Sequence, residues 1–143
     1  MNWMTIPIAI RFYEVDSYRI VNNMFYLAWF EMGRFAIAEK AGIVSDRFEK
    51  ENLRFVVKHI EVEYLRPVYF KDRVVCESSI CSVVGSKIDF LHIIRNEINK
   101  EIHTKGRTEV ILLKDNKMQI HMPEWIKQCI DIYLEHYQKG LPK

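Results

Sequence analysis

A carboxylate stands shortly before a long apolar segment of this sequence. Asp16 lies in the stretch EVDSYRIVNN, and the apolar segment begins near Asn23. The first N–H groups of a helix have no acceptor within the helix, and the helix dipole makes them partly positive. A carboxylate can serve as general base or nucleophile, while such N–H groups stabilise negative charge that develops on an oxygen. The stretch therefore holds residue types suited to attack on a carbonyl group.

The segment after this stretch is expected to be one long helix. Asn22 and Asn23 are good N-cap residues, because a short side-chain oxygen can accept a hydrogen bond from the first turn. Gly42 is the expected C-terminal cap. The helix between them is apolar almost all the way round, which requires a sheet or a partner to cover it. Residues 43–54 are charged and predict a solvated connection with a helical turn.

Most of the remaining chain predicts β-strands. Residues 5–13 are rich in β-formers and predict a first strand. In the run VVKHIEVEY, alternation at period two places one set of side chains on the buried face: Val56, Ile60, Val62 and Tyr64. Arg66 and Pro67 interrupt this strand and indicate a bend. Three further strands follow, RVVCESSICSVV, KIDFLHIIR and EIHTKGRTEVILL, and the short turns between the four strands favour an antiparallel meander.

The last segment predicts an amphipathic helix. Pro123 suits its first helical position. Helical spacing places six residues on one face: Ile126, Cys129, Ile130, Tyr133, Leu134 and Tyr137. The order is thus strand, long helix, four strands and helix, and the predicted class is α+β. A lone sheet of about five strands leaves backbone groups unpaired at its edges, which favours self-association into a homodimer or a homotetramer.

The amino-acid composition and the charge pattern argue against several classes of function. The chain has 143 residues, 49% of them hydrophobic and 28% charged, which suits a single domain over 1–143. The net charge of +2 comes from mixed charges without a basic block, so nucleic acid is not expected as a partner. Neither a metal site nor a cofactor is indicated, because no nucleotide-binding loop appears and the histidines share no ligand spacing.

The chain is also expected to stay in the cytoplasm. Cys76, Cys81 and Cys129 have neither disulfide nor zinc-site spacing, and they predict buried thiols in a reducing compartment. The first ten residues lack the features of a secretory signal. The longest apolar stretch, 24–41, contains four charged residues, so no membrane span is predicted.

Two blocks of this sequence resemble a known family. The first runs from RFYEVD through VNN to YLAWFEMGR, and Tyr26 follows Asp16 after ten residues. The second is EYLRPV with Asp72 after it. Together they resemble the hot dog acyl thioesterases of the 4-hydroxybenzoyl-CoA thioesterase type, and the VNN segment is also similar to plant acyl-carrier-protein thioesterases. The resemblance implies the hot dog fold, in which a curved antiparallel sheet wraps around a central helix.

The resemblance also implies roles for individual residues. Asp16 would be general base or nucleophile, and the N–H at Asn23 would face the thioester oxygen. Tyr18 and Arg19 stand where many relatives have glycines, and they are candidates to shape the substrate entrance. Tyr26 is a candidate contact for substrate, although packing or an interface is the commoner role of a helix tyrosine. The histidines that some relatives carry near this helix are absent here, so no imidazole role is implied.

The implied activity is hydrolysis of an acyl-CoA thioester without a cofactor. Two alternatives stay open: an acyl-acyl carrier protein thioesterase, and a non-catalytic module that binds acyl groups on the same fold. A hot dog dehydratase is disfavoured, because it needs a histidine near the helix. The identity of the acyl group is not encoded in any motif of the chain.

Overall fold

The secondary structure follows the predicted order, with additional short elements. The computed structural model describes residues 3–43 and 45–142. The strands are β1 (Met4–Ile8), β2 (Leu53–Tyr64), β3 (Val74–Val84), β4 (Lys87–Asn96), β5 (Ile102–Lys114) and β6 (Lys117–Met118). The helices are α1 (Phe25–Ala41), α2 (Ser45–Lys50) and α3 (Glu124–Tyr133). A 3-10 turn covers Phe12–Glu14, and a π-helical turn covers Leu134–Gln138.

The strands form one antiparallel sheet in the order β1-β3-β4-β5-β2, with β6 paired to β5. Strands β3, β4 and β5 form the expected meander, but the prediction that β2 belongs to it is wrong. Strand β2 pairs with β5 and lies far from β3. The ladder of β2 ends where the N–H groups of Leu65 and Arg66 both donate to the carbonyl of His103. Pro67 then has no N–H to continue the ladder.

The first strand is shorter than predicted. It ends at Ile8, whereas the sequence predicted a strand over residues 5–13. The N–H of Arg11 donates to Oε1 of Glu14 at 2.6 Å, and the N–H of Glu14 donates to the carbonyl of Arg11 at 2.9 Å. These two bonds close a turn, so the backbone of residues 11–14 is not available to the sheet.

A β-bulge changes the faces of β2. Val57 lies opposite Val110 and His59 lies opposite Glu109, which leaves Lys58 as the extra residue. The bulge shifts the alternation by one position. Val56 therefore points away from the face that carries Ile60, Val62 and Tyr64, and the prediction that all four share a face is wrong for Val56.

Helix α1 has two apolar faces, of which its own chain covers one. The helix begins at Phe25, two residues later than predicted, and Gly42 ends it in the left-handed conformation at φ 80° as expected. The buried face consists of Tyr26, Trp29, Phe30, Gly33 and Ile37. On the opposite face Met24 is 61% and Phe35 is 65% exposed. Within the single chain the sheet thus covers one face of the helix, and the exposed face is the one for which the sequence pattern allows a partner.

Two glycines allow α1 to lie directly on the sheet. A Cβ at Gly106 of β5 would overlap the ring of Phe30, and a Cβ at Gly33 of α1 would overlap Oγ of Ser78. Phe30 is completely buried. The absence of a side chain at each position sets how closely the helix approaches the sheet.

Helix α3 closes the end of the core near the C-terminus of α1. Ile126, Ile130 and Tyr133 are buried, while Cys129 is only partly buried. Pro123 occupies the N-cap, one position before the predicted one. All three cysteines are free, and Cys76 alone among them is fully buried. In residues 3–43 and 45–142, no helix has the length and apolar composition to cross a membrane.

We predict that Gly106→Ala destabilises the fold by about 1–3 kcal/mol, because the new methyl group must displace a buried aromatic ring. The free energy of unfolding from urea titration measures this. Lys105→Ala, at the exposed neighbouring position, is the matched control and should change stability by less than about 0.5 kcal/mol. Equal stability of wild type and Gly106→Ala would contradict the close packing of Phe30.

Candidate functional site

The loop that carries Asp16 is tied by backbone hydrogen bonds. Val15 and Val21 form a β-bridge. Between them the N–H of Asp16 donates to the carbonyl of Ile20 at 2.9 Å, and the N–H of Arg19 donates to the carbonyl of Asp16 at 3.0 Å. Arg19 adopts the left-handed region at φ 62°. The loop is therefore a tight turn despite the lack of glycine.

One carboxylate oxygen of Asp16 holds this turn together. Its Oδ1 accepts hydrogen bonds from the N–H groups of Tyr18 at 2.8 Å and Ile20 at 3.3 Å. Within residues 3–43 and 45–142, Oδ2 has no hydrogen-bond partner, and the residue is exposed. The carboxylate is thus oriented through one oxygen and accessible through the other.

The N-terminus of α1 lies next to this loop in the chain. The N–H of Asn22 donates to the carbonyl of Glu14 at 2.8 Å, and the N–H of Met24 donates to Oδ1 of Asn22 at 3.2 Å. The intervening N–H of Asn23 has no acceptor in the described part of the chain. The hydroxyl of Tyr64 donates to the carbonyl of Asn23 at 2.7 Å. This bond fixes the turn that presents the unpaired N–H.

A cleft of about 260 Å³ opens at this point. The loop before α1 and the end of β2 form its walls: Ile20, Val21, Asn23, Tyr26, Tyr64, Leu65, Arg66 and Pro67. The structure therefore brings together two of the predicted site residues, Asn23 and Tyr26. Asp16 is joined to the cleft through its hydrogen bonds with Ile20. Tyr18 and Arg19 are exposed on the loop and are not among the residues that line the cleft.

Tyr26 is mainly a packing residue in this chain. It is 2% exposed, and its ring contacts Trp29 and Tyr64 at centroid distances of 5.0 and 5.2 Å. Burial raises the pKa of its hydroxyl above the ordinary value. Tyr26 therefore bounds the floor of the cleft as a neutral aromatic side chain.

A second concavity, of about 350 Å³, lies under the C-terminal half of α1. Its walls are almost entirely apolar and come from the helix, the sheet and α3, and include Ile37, Phe55, Phe90, Val110 and Ile130. Arg34 and Glu31 of α1 also line it. None of the described residues lines both concavities, and from Tyr26 of the cleft to Glu31 of this cavity the helix rises about 7.5 Å at 1.5 Å per residue.

Arg34 is attached to a buried polar row that crosses the sheet beneath α1. Nη1 of Arg34 donates to Oγ1 of Thr108 at 3.3 Å. His92 lies between Thr108 and Ser78. Its Nε2 is 3.3 Å from Oγ1 of Thr108, and its Nδ1 is 2.7 Å from Oγ of Ser78. The ring of Phe30 stacks on His92 at 4.7 Å between centroids. Burial, together with the nearby charge of Arg34, lowers the pKa of His92 to about 3. His92 is therefore neutral at physiological pH.

No cluster of three or more potential metal ligands occurs within residues 3–43 and 45–142. Three histidines lie on strands, and each has a hydrogen-bond partner within the protein. His59 pairs with Glu61, His92 pairs with Ser78 and Thr108, and His103 pairs with the carbonyl of Pro67. The chemistry that this geometry offers is that of a carboxylate and an unpaired backbone N–H.

A comparison of the sequence with models of known protein families shows which family this chain belongs to. The model of the thioesterase-like superfamily matches residues 10–130, which is most of the chain. This protein belongs to the thioesterase-like superfamily. The match includes the Asp16 loop, all of α1 and strands β2 to β5.

Curated relatives of this thioesterase-like chain act on two kinds of carrier. It is 23% identical over 122 residues to an acyl-acyl carrier protein thioesterase of Arabidopsis thaliana, chloroplastic ATL3, covering 85% of this chain and 64% of that protein. It is 33% identical over 85 residues to the long-chain acyl-CoA thioesterase FadM of Escherichia coli, covering 57% of this chain and 61% of that protein. The chain thus spans less than two thirds of either relative.

Solved structures show the same fold over nearly the whole chain. The DHNA-CoA thioesterase of Staphylococcus aureus superposes with a TM-score of 0.83 at 21% identity, covering 99% of this chain and 98% of that one. A thioesterase of Thermus thermophilus, solved with coenzyme A and zinc, superposes with a TM-score of 0.77 at 24% identity over 92% of this chain and 95% of that one. The expected hot dog fold is confirmed.

Two residues that support the site of this thioesterase-like chain were not singled out from the sequence. Glu14 is buried, and its Oε2 accepts a hydrogen bond from Nε1 of Trp29 at 3.2 Å. That bond connects the 3-10 turn to α1. Because the two residues are fifteen positions apart, no local sequence pattern predicts the contact. Tyr64 belongs to the second sequence block, which gave the only signal for it. Its role depends on the contact with Asn23, which is forty-one residues away.

We predict that His92 makes the stability of the protein fall as pH decreases below about 6.5. Its pKa is about 3 in the folded state, against 6.5 for an unperturbed histidine. Between these values the unfolded chain binds a proton that the folded chain excludes, so stability rises with pH by up to about 1.4 kcal/mol per unit. Urea titrations at pH 4.5, 5.5 and 7.5, chosen to bracket about 6.5, measure the slope.

His92→Gln should be less stable at neutral pH, yet its stability should depend less on pH over this range. His59→Gln, which changes an exposed histidine, is the control and should keep the wild-type slope. An unchanged slope in His92→Gln would show that other groups carry the pH dependence.

Proposed function

We propose that this protein hydrolyses acyl-CoA thioesters to the free acid and CoA. The observation that carries the proposal is the unpaired N–H of Asn23, a residue that lines a cleft beside the loop of an accessible carboxylate, Asp16. Hydrolysis needs a donor where the oxyanion develops and a base or nucleophile near the carbonyl carbon. Membership of the thioesterase-like superfamily supports the same reaction.

The N–H of Asn23 would donate to the thioester oxygen as negative charge develops on it. The position at the start of α1 adds the positive end of the helix dipole. The bond from Tyr64 to the carbonyl of Asn23 would hold this peptide in place before substrate arrives. A donor fixed in advance needs no reorganisation during the reaction, which is what makes such donors effective.

Asp16 would act in one of two ways. As a general base it would take a proton from water, and the resulting hydroxide would displace the CoA thiolate. As a nucleophile its Oδ2 would displace the thiolate directly to form a mixed anhydride, which water then hydrolyses. In either case Oδ1 is committed to the N–H groups of Tyr18 and Ile20, so Oδ2 is the reacting oxygen.

Tyr18 and Arg19 would contact the substrate outside the reacting centre. Both are exposed on the Asp16 loop, and Tyr18 is 79% exposed. A guanidinium at the entrance favours the phosphate groups of CoA or of a phosphopantetheine arm. Tyr26 would bound the cleft beneath the acyl group. A cytoplasmic location stays a prediction of the sequence.

An acyl-acyl carrier protein thioesterase is the second candidate, favoured by the plant relative whose name states that activity. The same two catalytic groups would serve, since the thioester is the same and only the carrier differs. A non-catalytic module that binds acyl groups is the remaining alternative. It requires that Asp16 serve only to hold its own loop.

The thioesterase would work as a homodimer or a dimer of dimers. Strand β2 lies at the edge of the sheet and pairs only with β5 among the described strands. The uncovered face of α1 presents Met24, Met32 and Phe35 to solvent in the single chain. A second copy that pairs along β2 would satisfy the backbone groups of that edge, and association across α1 would bury these side chains.

We predict that Asp16→Asn abolishes most hydrolysis, at least about a hundredfold in kcat/KM, because the amide is neither a base nor a nucleophile. The amide keeps an oxygen that can accept the two loop hydrogen bonds, so folding should be retained. Free-thiol release from short, medium, long and aromatic acyl-CoAs, and from acyl-acyl carrier protein, measures the activity. Asp46→Asn, on exposed α2, is the matched control.

An undiminished rate in Asp16→Asn would rule out the carboxylate mechanism. Hydrolysis of carrier-protein substrates alone would favour the second candidate. Binding without hydrolysis of any substrate in the panel would favour the non-catalytic module.

We predict that Phe35→Asp weakens self-association by about tenfold or more, because it places a charge on the face that a second copy would bury. Light scattering after gel filtration at micromolar concentration gives the mass. Ile98→Asp changes a side chain of similar exposure at the β4–β5 turn and should leave the mass unchanged. A wild-type monomer under these conditions would refute the proposed assembly.

A further inference from the structure

We propose that Glu14 is a positioning residue for thioester hydrolysis. Its carboxylate attaches the hairpin formed by residues 14–22 to α1, and this attachment sets where Asp16 and the N–H of Asn23 lie relative to each other. Glu14 is buried and is not among the described residues that line the cleft, so it acts through these two groups and not on the substrate. The catalytic consequence rests on the proposed function, whereas the attachment itself can be tested without substrate.

Asp16 lies near the tip of this hairpin, and Glu14 lies at its base. At the base the N–H of Asn22 donates to the carbonyl of Glu14 at 2.8 Å. Nearer the tip the N–H of Asp16 donates to the carbonyl of Ile20 at 2.9 Å. Asn23 directly follows Asn22 in the chain. A displacement of the hairpin base would therefore move both the carboxylate and the proposed oxyanion donor.

The side chain of Glu14 connects the hairpin base to α1. Its Oε2 accepts a hydrogen bond from Nε1 of Trp29 at 3.2 Å, and its Oε1 accepts one from the N–H of Arg11 at 2.6 Å. Within the described part of the chain, the bond from Trp29 is the only hydrogen bond between residues 11–16 and α1. Trp29 is 2% exposed and packs against Tyr26, which lines the cleft. The carboxylate of Glu14 thus joins the first arm of the hairpin to a fixed point on the helix.

The second arm of the hairpin is attached independently to the segment that follows β2. The N–H of Val21 donates to the carbonyl of Val68 at 2.8 Å, and the N–H of Phe70 donates to the carbonyl of Arg19 at 3.1 Å. These bonds do not involve Glu14. Loss of the Glu14 attachment would therefore shift the first arm and Asp16 while the hairpin stays folded on its second arm.

The two hydrogen bonds of Glu14 require a carboxylate. Each carboxylate oxygen is an acceptor, whereas a glutamine amide has one acceptor oxygen and an NH₂ group that only donates. In Glu14→Gln the NH₂ group would face the N–H of either Trp29 or Arg11. Two donors that face each other in a buried space leave both unsatisfied, so one contact opens. Glu14→Gln thus breaks the attachment and keeps the shape of the side chain.

The kinetic test compares Glu14→Gln with Glu77→Gln. The control removes a partly buried carboxylate that pairs with Arg95 at 2.9 Å on β3 and β4. With a substrate that the wild type hydrolyses, Glu14→Gln should lower kcat by about tenfold or more and change KM by less than about twofold, because the reacting groups are displaced while carrier contacts remain. Glu77→Gln should change neither constant. Unchanged kcat in Glu14→Gln, or a change confined to KM, would overturn the proposal.

A second variant removes the same hydrogen bond from its other partner. Trp29→Phe deletes the Nε1 donor, so it should also lower kcat. Because both changes break one bond, the double variant should lose no more kcat than the more impaired single variant. Losses that multiply in the double variant would contradict an action through this bond.

Amide hydrogen exchange tests the attachment without substrate. In Glu14→Gln the amides of Asn22 and Asp16 should exchange at least about fivefold faster, and by a larger factor than the amide of Ile94 in the central strand β4. Trp29→Phe gives the same comparison if Glu14→Gln does not fold. No change at Asn22 and Asp16, or an equal change at all three amides, would overturn the proposal. A wild-type protein that hydrolyses no thioester would refute the proposed function instead, and the exchange rates would still decide whether Glu14 holds the hairpin.

Discussion

The direct contact between α1 and the sheet is the constraint on which the rest of this structure depends. Gly106 leaves room for the ring of Phe30, and Gly33 leaves room for Oγ of Ser78. At this separation Phe30 stacks on His92, and Arg34 reaches Thr108 on the sheet. A helix held farther away by two additional methyl groups would lose these contacts, because close-packed interiors do not tolerate overlap.

Once α1 is fixed, its N-terminus is fixed with it, and this positions the candidate site. Glu14 connects the preceding turn to Trp29, and Tyr64 connects the end of β2 to the carbonyl of Asn23. The loop of Asp16 is attached to the same framework through the bridge between Val15 and Val21. The unpaired N–H and the accessible carboxylate are thus held by rigid elements, as a preorganised site requires.

The same placement divides the interior beneath the helix. One apolar cluster surrounds Trp29 and Val68 near the N-terminus of α1, and another surrounds Leu112 and Ile126 near its C-terminus. The polar row through His92 runs across the sheet from β3 to β5, and Arg34 connects it to the cavity beneath the C-terminal half of α1. In the described part of the chain, the candidate site therefore lies at the N-terminal end of α1 and the apolar cavity lies beneath its C-terminal half.

The sequence by itself determined the features that depend on neighbours in the chain. These include the cap at Gly42, the meander of β3 to β5, and the loop that places Asp16 before Asn23. Only the tertiary structure decided where β2 pairs and which face of α1 stays uncovered. It also decided that Glu14 supports Trp29 and that Arg34 faces a cavity. The physical reason is that turns, caps and alternation arise from local backbone geometry, whereas strand pairing and burial depend on contacts between residues that are distant in sequence.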